Sequence, residues 1–256
     1  DALAAWAQRE NLAAVALGHT QDDVAAAARR QRQNLAAFHG VKDEAAIGAA
    51  WPFLSSEDRF IRHAARIAVE SQPVDTWVDR VAKEANPHAR ISACVALARM
   101  GSDAHFDPLM QHLLSIDPKQ LDAPKLLGLL RAYGIAFTEI KPPNDSQRES
   151  ITESLRPLLP HQNSDVNTEL IRVLSYLRDA TLPARVMDLI QQRTAPVPPK
   201  WSALAKRNSQ YGGAISGMLK AHPPTRELGY AFMLRNLKVG WNLDLRRQYF
   251  EFLNQA

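Results

Sequence analysis

Apolar and small side chains recur along this chain with the spacing of α-helices. In DRFIRHAARIAVES (58–71), the positions i, i+3, i+4 and i+7 form one apolar or small stripe: Ile61, Ala64, Ala65 and Ala68. The segments HARISACVALARMG (88–101) and VNTELIRVLSYLRDA (166–180) carry the same pattern. No stretch shows the sustained alternation of apolar and polar residues that a half-buried strand requires. The pattern therefore predicts an all-α fold.

Short breaks that contain proline and polar residues separate the predicted helices. The segment IKPPNDS (140–146) predicts a loop, because its two prolines cannot continue a helix. The segment RTAPVPPK (193–200) predicts a second break. Each break is too short to link independent cores. We therefore expect a single domain over residues 1–256, in which 1–140 and 147–256 form sub-bundles.

One helical segment repeats after 28 residues. Residues 62–69 align with 90–97, and three residue types match: Arg62 with Arg90, Ala65 with Ala93, and Ala68 with Ala96. A weaker copy covers 152–179. Ser56 and Asp58, in the polar turn before the first copy, are candidate N-caps because their oxygens can accept backbone N–H bonds. Repeated helix pairs stack because one pair cannot bury its apolar stripe alone, so we expect an irregular α-solenoid of the HEAT-like or armadillo type.

Charge and cysteine content exclude several classes of function. The net charge of +4 comes from 31 basic and 27 acidic residues spread along the chain, which favours a solvated surface over a nucleic-acid footprint. Cys94 is the only cysteine. This segment therefore holds neither an internal disulfide nor the cysteines of a haem attachment motif or a zinc cluster. No apolar run of membrane-spanning length occurs.

The chain lacks the spacing patterns of catalytic and metal-binding motifs. His105 and His112 are seven positions apart, which is too far for both to bind one ion. Neither an HExxH motif, a phosphate-binding loop nor a nucleophile elbow occurs. Gly212 and Gly213 suit an anion-binding turn or, as we favour, a tight helix entry. The sequence thus predicts no catalytic, cofactor-binding or metal-binding residue and favours a segment without enzymatic activity.

A basic ridge is the first candidate surface for partner binding. Arg59, Arg62 and Arg66 are three and four residues apart, so their side chains lie along one helical face. Such a ridge can hold phosphates or a partner's carboxylates. The alternative, which we favour, is salt bridging to acidic residues of the same repeat: Glu57, Asp58 and Glu70.

The closing stretch GYAFMLRNLKVGWNLDLRRQYFEFLNQA (229–256) is the second candidate surface. Its 28 positions hold six of the 18 aromatic residues of the chain. Phe232, Leu234 and Leu237 suit the inner face of one helix, which Gly240 ends before a last helix begins. Some rings are expected to pack inside this helix pair and the excess to face a partner. The candidate interaction residues are Trp241, Arg246, Arg247, Tyr249, Phe250 and Phe252.

The segments AWPFLSSEDRFIRHAARIAVESQPVDTW (50–77), ALARMG (96–101) and YAFMLRNLKVGW with LRRQYFEFLNQA (230–256) together resemble a known helical region. It occurs in large secreted multi-domain proteins of planctomycete-type bacteria. There it is similar to degenerate HEAT repeats and lies between a β-propeller, which resembles sugar dehydrogenases, and a C-terminal c-type cytochrome domain. The resemblance covers most of the chain from about residue 30, and its most specific parts are DRFIRHAAR, LRNLKVGW and RRQYF.

The resemblance implies a scaffold or protein-interaction module of an exported redox protein, secreted or periplasmic. Its partners would be protein domains of the same parent chain or a redox partner. Neither a propeller nor a CxxCH motif is present, so no cofactor is expected in this segment, and haem c would belong to a neighbouring domain. A start at Asp1 without Met, and an aromatic end without a tail, lead us to expect a segment of a longer polypeptide.

The alternative function is a HEAT-like DNA-binding protein or an enzyme of the alkylpurine DNA glycosylase type. The chain is similar in length, helicity and basic charge to HEAT-like alkylpurine DNA glycosylases, which use Arg, Trp and Asp residues on a concave surface. Trp51, Trp77 and Trp241 could serve such a surface, but tryptophan at these positions more often packs between repeats. We therefore do not expect nucleic acid as the partner, nor a membrane span. A third alternative places the haem edge of a neighbouring domain against the C-terminal rings.

Overall fold

The computed structural model describes residues 23–192 and 224–256, and its elements within these ranges are all helical. The α-helices are α1 (Asp23–Ala36), α2 (Ala45–Ala50), α3 (Arg59–Glu70), α4 (Val78–Lys83), α5 (Pro87–Met100), α6 (Asp103–Leu114), α7 (Ala123–Glu139), α8 (Asp145–Leu155), α9 (Ser164–Tyr176), α10 (Leu182–Gln191), α11 (Thr225–Leu234) and α12 (Leu243–Gln255). Short 3-10 helices cover Trp51–Phe53, Val74–Thr76, Pro118–Gln120 and Arg156–Leu158. The predicted all-α fold is confirmed for these ranges. The predicted break at 193–200 and the pair Gly212 and Gly213 lie outside the described residues.

The chain divides into two compact units, Asp1–Ala96 and Leu97–Ala256. The division falls within α5. The loop predicted at 140–146 is present, since α7 ends at Glu139 and α8 begins at Asp145. The single domain with its two sub-bundles stays a prediction.

The stripes predicted from residue spacing are the buried faces of their helices. In α3 the alanines of the stripe are buried, while Ile61, one turn earlier, is half-buried. The stripe residues of α5 and α9 are also buried: Ile91, Cys94, Val95, Ala98, Val166, Leu170, Val173 and Leu174. Each buried apolar side chain of this kind stabilises the fold by roughly 1.5–3 kcal/mol, whereas the alanines contribute less area and instead let neighbouring backbones approach.

The 28-residue repeat is visible in how two helices begin. Asp58 is the N-cap of α3, and its Oδ1 accepts the backbone N–H groups of Phe60 at 2.8 Å and Ile61 at 3.3 Å. Asn86 precedes α5, and its Oδ1 accepts from His88 at 2.9 Å and from Ala89 at 3.3 Å. At each of the two helix starts, the capping side chain therefore accepts from two backbone N–H groups that have no partner within the helix. The two caps lie at equivalent positions of the repeat.

The repeated arginines also have equivalent contacts. The guanidinium of Arg62 donates to the backbone carbonyl of Ser56, six residues earlier. Arg90 donates from Nε to the carbonyl of Glu84 at 2.7 Å, again six residues earlier. Ser56 thus contributes its carbonyl to Arg62, and the N-cap position belongs to Asp58 alone. The two copies predicted from sequence therefore share their N-cap and arginine contacts, while the stacking of repeats into a solenoid stays a prediction.

In the second unit, α9 packs against both α7 and α11, and α10 contacts both α11 and α12. Side-chain hydrogen bonds to backbone carbonyls fasten this arrangement. The Ser175 hydroxyl donates to the Met233 carbonyl at 3.1 Å, and the Tyr249 hydroxyl donates to the Ala231 carbonyl at 3.1 Å. Helix α11 is therefore held from α9 and from α12.

The C-terminal helix pair differs from its prediction in two respects. Helix α11 ends at Leu234, six residues before Gly240, and a turn closes there because the Leu237 N–H donates to the Leu234 carbonyl at 2.9 Å. Phe232 does not lie on the inner face, since its side chain is 58% exposed. The buried face of α11 is set by Tyr230, Ala231 and Leu234, and position 232 lies on the opposite side of the helix from 230 and 234.

Candidate functional site

A groove of about 940 Å³ opens on the second unit between α9 and the segment 229–239. We call it the basic groove, because five cationic side chains line it: Arg148, Arg172, Arg178, Arg235 and Lys238. Six apolar or aromatic residues also line it, namely Pro142, Tyr176, Phe232, Met233, Leu237 and Val239, and Ser175, Gly229 and Asn236 complete the lining. None of the described residues that line it is Asp or Glu. The groove therefore combines a positive potential with an apolar surface.

The five cations differ in whether they already form ion pairs or hydrogen bonds within the protein. Arg172 forms an ion pair with Glu169 at 2.5 Å. Arg148 donates to the Tyr176 carbonyl at 3.3 Å and lies 3.9 Å from the exposed carboxylate of Asp145. The other three, Arg178, Arg235 and Lys238, are exposed and form no ion pair with any residue in the described ranges. They are the cations that a ligand can engage without breaking an existing pair.

Two aromatic rings stand exposed in the groove. Phe232 is 58% exposed and Tyr176 is 47% exposed. The Tyr176 ring stacks on Phe137 with 5.3 Å between centroids and 9° between planes, so its orientation is fixed from behind. Exposed large side chains scattered singly are common on protein surfaces, but two that share a groove form an apolar patch.

The turn between α9 and α10 supplies one edge of the groove. Arg178 has φ 60°, in the left-handed region that a bulky side chain rarely adopts. The next residue, Asp179, is buried and accepts hydrogen bonds from Arg156 Nε at 3.1 Å and from the backbone N–H of Thr181 at 3.0 Å. Burial alone would raise the pKa of Asp179, but these hydrogen bonds hold it below its usual value. The anchored carboxylate stabilises the turn that presents Arg178.

Four of the six C-terminal candidates lie together beside the groove. Trp241, Arg246, Tyr249 and Phe250 line a pocket of about 390 Å³, whose other walls include Arg235 and Lys238 of the basic groove. The Tyr249 ring makes edge contacts with Trp241 and Phe250, at centroid distances of 5.3 and 5.4 Å. Phe250 is 61% exposed, so much of its surface remains accessible to a partner.

The remaining two C-terminal candidates are placed elsewhere. Arg247 is exposed and lies 3.7 Å from the carboxylate of Asp244. Phe252 is half-buried and lines a different pocket, with Met187 and Ile190 of α10. The structure therefore brings four of the six predicted residues together around one pocket, which they share with Arg235 and Lys238.

The basic ridge on α3 is largely engaged within the first unit. Arg66 forms an ion pair with Glu70, as the salt-bridge interpretation expects. Arg62 is bound to backbone carbonyls, and the Arg59 guanidinium lies 4.7 Å from the centroid of the Phe60 ring. Since Arg62 contributes to the repeat structure, the ridge offers a partner less free charge than its sequence indicates.

Sequence reasoning did not find the groove itself. Its cations at 148, 172, 178, 235 and 238 are spread over 91 positions and converge only in the fold. A partial signal existed, because Arg172 and Tyr176 are four apart on α9 and share a helical face. Arg235 and Lys238 also belong to LRNLKVGW, one of the segments most specific to the resemblance.

The tryptophans proposed for a DNA-contacting surface in the first unit are buried. Trp77 is 1% exposed, and its indole N–H points to the Gln72 carbonyl at 3.4 Å. The Trp51 indole N–H donates to Glu84 Oε2 at 2.7 Å, and Arg80 lies 4.9 Å above the ring. Both rings pack inside the protein, which is the interpretation that the sequence favoured, and neither can stack on a base.

The described ranges contain no group of three or more His, Cys, Asp or Glu side chains that could hold a metal ion. None of the helices in these ranges has the length and apolar composition needed to cross a membrane. The HEAT-like resemblance stays a prediction, because no protein-family model, no curated protein and no solved structure matches the chain.

Proposed function

We propose that this chain is a non-catalytic, HEAT-like helical-repeat module that binds a protein partner through the basic groove. The observation that carries the proposal is the groove itself, where exposed apolar rings share one surface with three cations that form no ion pair within residues 23–192 and 224–256. Protein interfaces are enriched in aromatic residues, Met and Arg, all of which line this groove. The site offers binding groups rather than a nucleophile beside a base.

The repeat in the first unit supports the helical-module part of the proposal. The N-caps Asp58 and Asn86 are equivalent, as are the arginine contacts of Arg62 and Arg90, and such recurrence of local structure is expected of a repeat protein. In the context of the resemblance, the module belongs to an exported redox protein. Its partner is then a domain of the same parent chain, such as one carrying haem c, or a separate redox protein.

DNA binding is the second candidate, because the cations of the groove could equally face phosphates. The burial of Trp51 and Trp77 weakens it, since two of the three rings suggested for base contacts are inaccessible. Steep dependence of DNA affinity on salt is the signature that would support this candidate.

A peptide-selection experiment tests the proposal. A random peptide library is displayed and selected on the full chain, and the enriched peptides are measured against Phe232→Ser. Phe60→Ser is the matched control, because Phe60 is a phenylalanine of the first unit with a similar exposure of 53%. We expect binding that Phe232→Ser weakens about tenfold and Phe60→Ser leaves unchanged. Failure to select any peptide, or equal loss in both variants, contradicts the proposal, as does redox turnover by this chain without an added haem protein.

A further inference from the structure

We infer that the basic groove takes an acidic peptide segment with one large apolar anchor residue, contributed by another chain or domain. The inference rests on the proposed function and adds the chemistry of the partner. Its first observation is charge: five cations line the groove and none of its described lining residues is acidic. Electrostatic complementarity of this kind selects partners and speeds association.

The available cations suit carboxylates. Arg178, at the turn after α9, and Arg235 with Lys238, after α11, come from two different segments that border the groove. Guanidinium groups bind carboxylates in a bidentate fork, and the lysine adds a point charge. Carboxylates spaced along a peptide can therefore engage both segments at once, while Arg148 and Arg172 keep their present contacts.

The apolar wall supplies a place for the anchor. Phe232 and Val239 are 58% and 39% exposed, the half-buried Met233 adds further aliphatic surface, and the buried Leu237 lies beneath it in the lining. Aliphatic groups outnumber the two rings, Tyr176 and Phe232, in the apolar part of the lining. This composition matches a buried Leu, Met or Phe side chain better than a run of stacked bases, which needs successive aromatic platforms.

The charge pattern of this chain points to a separate source for the occupant. Residues 193–223 contain five Lys or Arg and no Asp or Glu, so they do not supply an acidic segment. Within residues 1–22 the acids are Asp1, Glu10 and Asp22, at least nine positions apart. Neither stretch has the clustered carboxylates that the groove complements.

The test uses the full 256-residue chain and a defined probe. The probe is a short fluorescent peptide in which Asp and Glu flank a single Phe, and its binding is followed by anisotropy at low salt and at about 0.3 M salt. Three comparison probes replace the Phe by Gly, replace the acids by Lys, or substitute single-stranded oligo-dT. We expect the acidic Phe peptide to bind best and to weaken about tenfold at the higher salt.

Variants of the chain locate the binding. Arg235→Glu with Lys238→Glu, and separately Phe232→Ser, are each expected to weaken the acidic Phe peptide by about tenfold. Lys119→Glu with Arg226→Glu makes the same change of charge at exposed positions of the second unit that do not line the groove, and should shift binding less than about twofold. Thermal unfolding of every variant confirms that it is folded, and Phe232→Tyr should restore most of the binding lost in Phe232→Ser.

The outcomes separate this inference from the proposed function. If library-selected peptides bind at the groove but are not acidic, and the acidic probe does not bind, the inference is overturned and the proposed function stands. If no peptide of either kind binds at the groove, both are overturned. Tighter, groove-dependent binding of oligo-dT also overturns both and assigns the surface to nucleic acid. If the peptide with Gly in place of Phe binds as tightly as the acidic Phe peptide, the inferred apolar anchor residue is overturned.

Discussion

Gly240 lies against the backbone of Ala180 so closely that no side chain fits between them. A Cβ added at Gly240 would lie 2.7 Å from the carbonyl carbon of Ala180 and nearer still to its oxygen. Gly240 also has φ 78°, a conformation that favours glycine. This contact joins the segment after α11 to the turn between α9 and α10. Both segments contribute cations to the basic groove, so the contact sets the position of Arg235 and Lys238 relative to Arg178.

Replacing Gly240 by Ala is therefore expected to destabilise the second unit and to disturb the groove. The left-handed backbone alone costs about 1–2 kcal/mol for a residue with a Cβ, and the overlap with Ala180 adds about 1–3 kcal/mol. Urea unfolding followed by circular dichroism measures the loss. Gly134→Ala in α7 is the control, because a Cβ there meets nothing within 4 Å and should stabilise the helix by about 0.5–1 kcal/mol. Equal effects of the two changes would show that the contact with Ala180 is not close.

The sequence located features that depend on local spacing. The buried stripes of α3, α5 and α9 follow from helical periodicity, and the loop after α7 follows from two prolines, because both signals act within a few residues. The 28-residue period also predicts that two helices begin in the same way, and the hydrogen bonds of Asp58 and Asn86 at these helix starts are equivalent. These features need no knowledge of what packs against each helix.

The groove and the end of α11 depend on tertiary contacts that no local pattern encodes. No helix-breaking residue stands between Leu234 and Gly240, so the pattern extended the helix to Gly240. In the fold the chain turns after Leu234 and reaches Ala180. Phe232, on the side of α11 opposite Tyr230 and Leu234, stays 58% exposed, although its type alone suggests a core position.

The two repeat caps are predicted to contribute equally to stability. Asp58→Ala and Asn86→Ala each remove a side-chain oxygen that accepts two backbone N–H groups, and each should lower the free energy of unfolding by about 1 kcal/mol. Asp58→Asn and Asn86→Asp keep an accepting oxygen and should recover most of that loss. Asp75→Ala serves as a control at an exposed acid of the same unit. A cost confined to one of the two caps would contradict their equivalence.

Cys94 is predicted to be chemically inert in the folded protein. Burial in α5 raises the pKa of its thiol to about 12, and the nearby positive charge of Arg90 offsets this only in part. Since the thiolate is the reactive form, iodoacetamide at about pH 8 should not modify the native chain and should modify it fully in denaturant. Mass spectrometry measures the extent. Ser146→Cys, at an exposed position of α8, supplies a thiol that should react at once. Modification of Cys94 at a comparable rate would mean that its helix opens readily.

Asp179 is predicted to make stability depend on pH in the acid range. Its pKa in the folded state lies below the ordinary value of 3.8, although burial opposes this, because Arg156 and Thr181 stabilise the charged form. A carboxylate with a lowered pKa stabilises the fold fully above its unfolded-state pKa, and this contribution is lost as pH falls through the folded-state pKa. The loss should therefore begin near pH 4 and continue below it.

The variant Asp179→Asn isolates that contribution. At pH 7 it removes charge-assisted hydrogen bonds and should lower the free energy of unfolding by about 2 kcal/mol. Because the wild-type carboxyl becomes protonated in acid, the difference between wild type and variant should shrink below about pH 4. Asp188→Asn, at an exposed position of α10, should show no such change with pH. Denaturant unfolding between neutral and acid pH measures both. A difference that stays constant over this range would show that the charge on Asp179 does not stabilise the turn.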